Sequence, residues 1–348
     1  MTRRRTLVVC PGRGSYTRAS LGSLKGRSAA ATEAIAVCDA ARAARGLPTV
    51  TALDADEKFR TTRHVAGEHA SLLTFAAGYA DWLELDRDGY QVVGVAGNSM
   101  GWYTALAVAG ALPLADAVRL IDTMGAYQQS NVVGGQLLVP LLDGDWRPDP
   151  VALAAVESAL QSVRLQGHDA AWSIHLGSFA VLGASTEGIK ALQAALPEHR
   201  RGDRTFPLQL PLHSAFHTSL MQPTADRAAI DLAQLAFTAP DVSLVDGEGR
   251  IARPVWADPE QLRAYTLGTQ VVAPYDFATS IRTALRHTGA EVIVALGPGN
   301  ALGGPLASLL VSENWRGARD RASFDAIQRS DAPALLSFGV ALQRTALV

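Results

Sequence analysis

The sequence predicts an α/β protein: one large domain on a parallel sheet, interrupted by a small β-α-β-β-α-β unit. Three observations carry this. An apolar strand runs straight into a glycine-rich turn near the N-terminus, at Leu7-Val-Val-Cys-Pro-Gly-Arg-Gly-Ser15. Strand and helix patterns alternate after it and return near the C-terminus. Between about Gly134 and Leu210 the pattern changes to a strand-rich one. The 348 residues suffice for two such units and a sizeable core.

In chain order, Leu7 to Cys10 reads as a buried strand, too short for the apolar region of a signal peptide. Leu21 to Arg45 carries alanine-rich helical periodicity that ends at Gly46, and Glu68 to Leu85 is a second helix. Tyr90 to Ala96 is a strand by its β-branched content, and Met100 to Ala109 a helix. Strand Gln136 to Leu142, helix Val151 to Val163, strands Ala171 to His175 and Phe179 to Gly183, helix Thr186 to Leu196 and strand Thr205 to Leu210 follow in the ferredoxin-like order. A strand at Glu291 to Leu296 and the turn Gly297-Pro-Gly-Asn300 restore the α/β pattern. The expected division is therefore 1-133 with 211-348 as the large domain and 134-210 as the insert.

Composition excludes several classes. With a formal net charge of -2 and 18% charged residues, no global field points to nucleic acid or to an anionic membrane surface. No apolar run reaches the roughly 18 residues of a membrane span. Cys10 and Cys38 form neither a disulfide framework nor a zinc spacing, and read as buried thiols of a cytoplasmic protein.

The chemistry-bearing motif is Gly97-Asn98-Ser99-Met100-Gly101, a G-x-S-x-G elbow between a strand and a helix, as in an α/β-hydrolase-like large domain. Such a turn exposes the serine hydroxyl and sets it at a helix N-terminus, with the Met100 backbone N–H as the natural oxyanion donor. The alternative is a tight turn whose serine only caps the helix. A nucleophilic serine needs a base. His213 and His217 lie four apart, but Pro211 precedes them and no H-E-x-x-H pattern exists, so a metal site is not expected. His213 reads as structural or pocket-lining; His64, His69, His168, His175, His199 and His287 read as surface or satisfied histidines by default.

These residues resemble the malonyl-CoA:acyl-carrier-protein transacylases and the acyltransferase domains of polyketide synthases over nearly the whole chain. Cys10-Pro-Gly-Arg-Gly-Ser15 is similar to that family's F-P-G-Q-G-S, Gly97 to Gly101 to its G-H-S-x-G, and Ala215-Phe-His-Thr-Ser-Leu-Met221 to its x-F-H-S-x-L-M. Gln270-Val-Val-Ala-Pro274 resembles Q-L-x-x-P, and Leu296-Gly-Pro-Gly299 resembles x-G-P-G. The resemblance implies a ping-pong mechanism: Ser99 takes an acyl group from a thioester with His217 as base, then gives it to the phosphopantetheine thiol of an acyl carrier protein. It implies acyl-CoA or acyl carrier protein as substrates, no bound cofactor, and a main-chain carbonyl near Gln270 that orients His217.

Departures from the family concern the acyl pocket. Its M-R-G-x-x-M-Q motif, whose arginine holds a malonyl carboxylate, is here Thr123-Met124-Gly-Ala-Tyr-Gln128-Gln129. A thioether cannot pair with a carboxylate, so an uncharged acyl group is expected. Arg13 stands where the family has a glutamine near the oxyanion hole. It reads as an oxyanion donor, as a cation for a phosphate or a carrier carboxylate, or as a surface residue; it is also the candidate for a relocated carboxylate anchor. Asn98 replaces a histidine, and Trp172-Ser-Ile-His175 replaces an A-N-x-N segment, which places His175 in a rebuilt pocket. Phe216, by analogy with malonyl-type polyketide acyltransferases, disfavours α-branching.

Three other functions compete. The same Ser99 and His217 suit a hydrolase that clears acyl groups from carrier proteins. Asp246-Gly247 would suit a patatin-like lipase, although it also reads as an ordinary turn. A non-catalytic scaffold that binds a carrier protein is the remaining one. Arg316, Arg319 and Arg321 form a candidate docking patch for an acidic carrier.

Overall fold

The computed structural model describes residues 3–130 and 132–348, with Gln129 and Ser130 described by their backbone alone; Met1, Thr2 and Asn131 of the expected large domain lie outside the described residues. The large unit is built on a six-stranded sheet of order β10-β9-β2-β1-β11-β12. Its strands are β1 (Arg4–Cys10), β2 (Tyr90–Gly97), β9 (Ser243–Val245), β10 (Ile251–Ala252), β11 (Val292–Ala295) and β12 (Leu335–Ser337). All neighbours pair in parallel except β9 with β10. Helices cover both faces, which is why Leu7 to Cys10, at the sheet centre, are wholly buried and read as an unbroken apolar run.

The first long helix begins at Ala29 rather than near Leu21, and runs to Ala43. Gly22 and Gly26 have φ of +80° and +68°, a backbone that no helix continues through, and Ser28 then caps the helix by accepting from Ala31 N–H. Elsewhere the expected elements lie within a few residues of their places: the helices Gly67–Glu84 and Gly101–Val108 flank β2.

The small unit is a four-stranded antiparallel sheet of β3 (Gly135–Pro140), β4 (Ala170–His175), β5 (Phe179–Ala184) and β8 (Leu208–Gln209), in the order β4-β5-β3-β8, covered by helices Pro150–Leu165 and Thr186–Ala195. This is the ferredoxin-like order. The strand expected from Thr205 to Leu210 is two pieces: β7 (Arg204–Phe206) forms a hairpin with β6 (His199–Arg201), and β8 joins the sheet. Pro207, with no N–H to give to a ladder, separates them. No helix of the described residues is long and apolar enough to cross a membrane.

One buried ionic network ties the chain's ends to the site. Arg27 and Arg344 each pair with both Asp81 and Glu84 at 2.7–2.8 Å, and Asp81 also accepts from the Gly297 N–H of the Gly-Pro-Gly turn. The Asp81 side chain is 2% exposed. Its removal leaves two guanidinium groups short of a partner, so Asp81→Ala is expected to lower the unfolding free energy by about 3–5 kcal/mol, measured by denaturant titration.

Candidate active site

The carboxyl ends of β1, β2 and β11 share one edge of the sheet, where ligands of open α/β sheets bind. There β2 ends at Gly97, the helix begins at Gly101, and Ser99 between them has φ +55°. Both glycines are steric necessities. A Cβ on Gly97 would lie 2.2 Å from the Gly101 carbonyl oxygen, and one on Gly101 would lie 2.2 Å from the Cys10 carbonyl oxygen.

Ser99 Oγ lies 2.7 Å from His217 Nε2, although 118 residues separate them. His217 is wholly buried, and its Nδ1 lies 2.6 Å from the main-chain carbonyl oxygen of Gln270. A carbonyl only accepts, so Nδ1 carries the proton and Nε2 presents its lone pair to the serine hydroxyl. That carbonyl is free for a local reason. In the turn Gln270–Val272 its helical partner would be the N–H of residue 274, which is proline. The next carbonyl, of Val271, accepts the His217 backbone N–H at 2.9 Å, which fixes the loop as well as the ring.

Burial lowers the His217 pKa to about 4, against the raising effect of the Gln270 carbonyl. The base is therefore neutral through the physiological range. The rate of Ser99 acylation is expected to hold down to about pH 5 and to fall as pH drops through 4, read from a pH–rate profile. The same burial couples to stability. His213 is lowered to about 3 by burial and by the neighbouring Arg13, so the unfolded chain binds more protons than the folded one below about pH 6.5. Stability from both histidines is present above that pH and is lost as pH falls towards 4.

Ser99 and His217 open into a cavity of about 720 Å³ between the large and small units. Met124, Phe216, Asn98 and Arg13 line it, and Asn98 Oδ1 is buried without a hydrogen-bond partner. Arg13 is not the surface residue that one reading allowed. Its guanidinium donates to His213 Nε2 (3.3 Å), to the Leu212 carbonyl oxygen (2.9 Å) and to Gln128 Oε1. All three acceptors are neutral, and no carboxylate of the described residues pairs with it. Burial lowers its pKa to about 9, so it remains a cation at neutral pH. His213 in turn donates from Nδ1 to the Pro211 carbonyl, 2.9 Å away.

His175 does not belong to the cavity wall: its ring stacks on Trp172 at 4.1 Å, and Ile174 and Leu176 line the cavity instead. A register irregularity between Trp172 and Ile174 breaks the alternation from which a sequence reading assigns faces. Asp246 is the turn residue of the β9–β10 hairpin, accepting from Glu248 and Arg250 N–H at 2.9 Å. Ser99 pairs with His217 instead, which removes the support for the patatin-like reading. Arg316, Arg319 and Arg321 stand away from the cavity lining, with Arg316 bonded to the Glu291 carbonyl and Arg321 over the Trp146 ring.

The sequence reading missed Gln128, Gln136, Tyr103 and the apolar wall formed by Leu138, Val181, Phe179 and Phe206. Alternation in β3 and β5 marks residues of one face, but nothing in it says that this face looks onto the serine. Among the described residues no group of three or more metal-ligating side chains occurs.

A serine on a strand-to-helix elbow, paired with a neutral histidine at an open cavity, is the arrangement of a serine acyl-transfer enzyme, and the relatives that the chain resembles are acyltransferases. No protein-family model matches the chain. It is 29% identical to the malonyl CoA-acyl carrier protein transacylase of Salmonella typhimurium over 238 residues, covering 67% of this chain and 71% of that one. To the corresponding transacylase of Escherichia coli it is 26% identical over 296 residues, covering 85% and 90%. The solved structure of the malonyl CoA-acyl carrier protein transacylase from Coxiella burnetii superposes with a TM-score of 0.75 at 21% identity, covering 99% of this chain and 97% of that one. In sequence and in fold the chain resembles the malonyl-CoA:acyl-carrier-protein transacylases.

Proposed function

We propose that the protein is an acyl-carrier-protein S-acyltransferase of the cytoplasm, with Ser99 as nucleophile, His217 as base and the Met100 N–H as an oxyanion donor. The observation that carries this is the 2.7 Å contact of Ser99 Oγ with the unprotonated nitrogen of a histidine whose other nitrogen is held by the Gln270 carbonyl. Ser99 Oγ attacks the thioester carbon as His217 Nε2 takes its proton. The tetrahedral oxyanion collapses, and the thiolate leaves with that proton, which produces a serine ester. The phosphopantetheine thiol of a carrier protein then gives its proton to His217, attacks the ester and restores Ser99. On this reading residues 134–210 act as an inserted wall of the cavity, and 1–133 with 211–348 carry the machinery.

The acyl group that the cavity favours is one bearing a carboxylate, with Arg13 as its anchor in place of the arginine that Met124 replaces. A half-buried guanidinium whose partners are all neutral is costly, and an incoming carboxylate offsets that cost. The second reading, an uncharged acyl group, is favoured by Met124 and by the apolar wall of the small sheet. Both are tested by incubating the protein with malonyl, acetyl and longer neutral acyl thioesters and weighing the intact chain. A Ser99-dependent adduct from malonyl supports Arg13 as anchor, and adducts from neutral donors alone support the second reading. Adding holo carrier protein separates transfer from editing hydrolysis: free acid in place of acyl carrier would make the protein a hydrolase.

A further inference from the structure

Gln270 holds His217 through its main chain, but its side chain is buried too and is occupied elsewhere. Its Nε2 donates to the Ser99 carbonyl oxygen at 3.1 Å, and its Oε1 accepts from the Tyr103 hydroxyl at 2.8 Å. Gln270 and Tyr103 are 2% and 3% exposed, so neither bond is shared with bulk water. The orientation of the amide follows from its neighbours. The Ser99 carbonyl only accepts, so the NH2 must face it, and the buried phenol, whose pKa burial raises, donates to the oxygen.

The Ser99 carbonyl belongs to the same peptide unit as the Met100 N–H. That unit is planar and trans, so gripping its C=O aims its N–H the opposite way. Met100 N–H has no acceptor among the described residues, whereas the Ser99 carbonyl accepts from both Trp102 N–H (2.9 Å) and Gln270 Nε2. Ser99 is held at φ +55°, a conformation that a side chain adopts only under constraint, and the peptide after it therefore needs an external hold to keep one orientation.

We propose that the Gln270 side chain is a positioning residue for the oxyanion donor. It locks the Ser99–Met100 peptide with its N–H directed at the developing oxyanion, while its own carbonyl sets the histidine, so one residue registers both halves of the site. Tyr103 is the strut that keeps the amide from turning over. This inference rests on the acyl-transfer reading above, and its test separates the two.

The test is steady-state transfer by wild type, Gln270→Met and Tyr103→Phe, with a pH–rate profile and melting temperature for each. Gln270→Met keeps the length and the main-chain carbonyl and loses both amide bonds, the one to the Ser99 carbonyl and the one from the Tyr103 hydroxyl. Its kcat is expected to fall by about 10- to 100-fold, less than the loss of an oxyanion donor outright, with KM and the acid limb of the profile unchanged. Tyr103→Phe is expected to lower kcat by about three- to tenfold with the same signature. A kcat within twofold of wild type in Gln270→Met overturns the proposal. So does a displaced acid limb, because the side chain would then be acting through His217. If Gln270→Met does not fold, Tyr103→Phe decides: unchanged kcat there is equally fatal. A wild-type protein that forms no Ser99-dependent adduct with any acyl thioester would remove the acyl-transfer reading itself, and this inference with it.

Discussion

Ser99→Ala is expected to form no covalent acyl adduct with any thioester, and His217→Ala to lower the rate of acylation by about 10⁴- to 10⁶-fold. The two side chains share one hydrogen bond, and each is idle without the other: the hydroxyl is a poor nucleophile at neutral pH, and the imidazole has no other acidic proton to take. Their losses should therefore not add. The double variant is expected to match the worse of the single ones, within a few-fold, when the intact chain is weighed over time. Retention of more than about a tenth of wild-type acylation in His217→Ala would point to another base. The fold should survive both changes, because the elbow rests on Gly97 and Gly101 rather than on the hydroxyl.

Arg13→Met is expected to lower acylation by a malonyl thioester by about 100- to 1,000-fold and to leave acetyl and longer neutral donors near their wild-type rates. The guanidinium lies in the acyl cavity with three neutral acceptors, and a carboxylate placed there would acquire a charge-assisted bond that no neutral group can replace. The double variant Arg13→Met with Met124→Arg moves the cation to the wall where the family carries it, and malonyl loading is expected to return in part. Equal losses for malonyl and acetyl donors would mean that Arg13 supports the His213 loop rather than the substrate. Its bonds to the Leu212 carbonyl and to His213 make that outcome measurable as a fall in melting temperature.

Much of the fold was legible. The apolar run at Leu7 reads as a central strand because a parallel sheet buries both faces, and the β-α-β-β-α-β order survives in the small unit with only its last strand divided at Pro207. The start of the first long helix was not legible, because alanine-rich periodicity extends back through Gly22 and Gly26, whose left-handed backbone ends it. At the site, a turn motif with two obligatory glycines marks Ser99 by local sterics alone. His175 fails for the converse reason: its place in the pocket was carried over from the family's A-N-x-N segment, and here its ring stacks on Trp172 while Ile174 and Leu176 face the cavity.

By itself, the sequence determined what depends on neighbours along the chain: the elbow, the strand and helix order, and the proline that releases the Gln270 carbonyl. These rest on φ/ψ limits and on hydrogen bonds spanning a few residues. Tertiary structure alone decided what depends on residues far apart. It brought His217 to Ser99 across 118 positions, turned Arg13 inward to Gln128 and His213, and laid one face of the small sheet over the cavity. Pattern and periodicity state which side chains share a surface, but only the packing of one surface on another states what that surface meets.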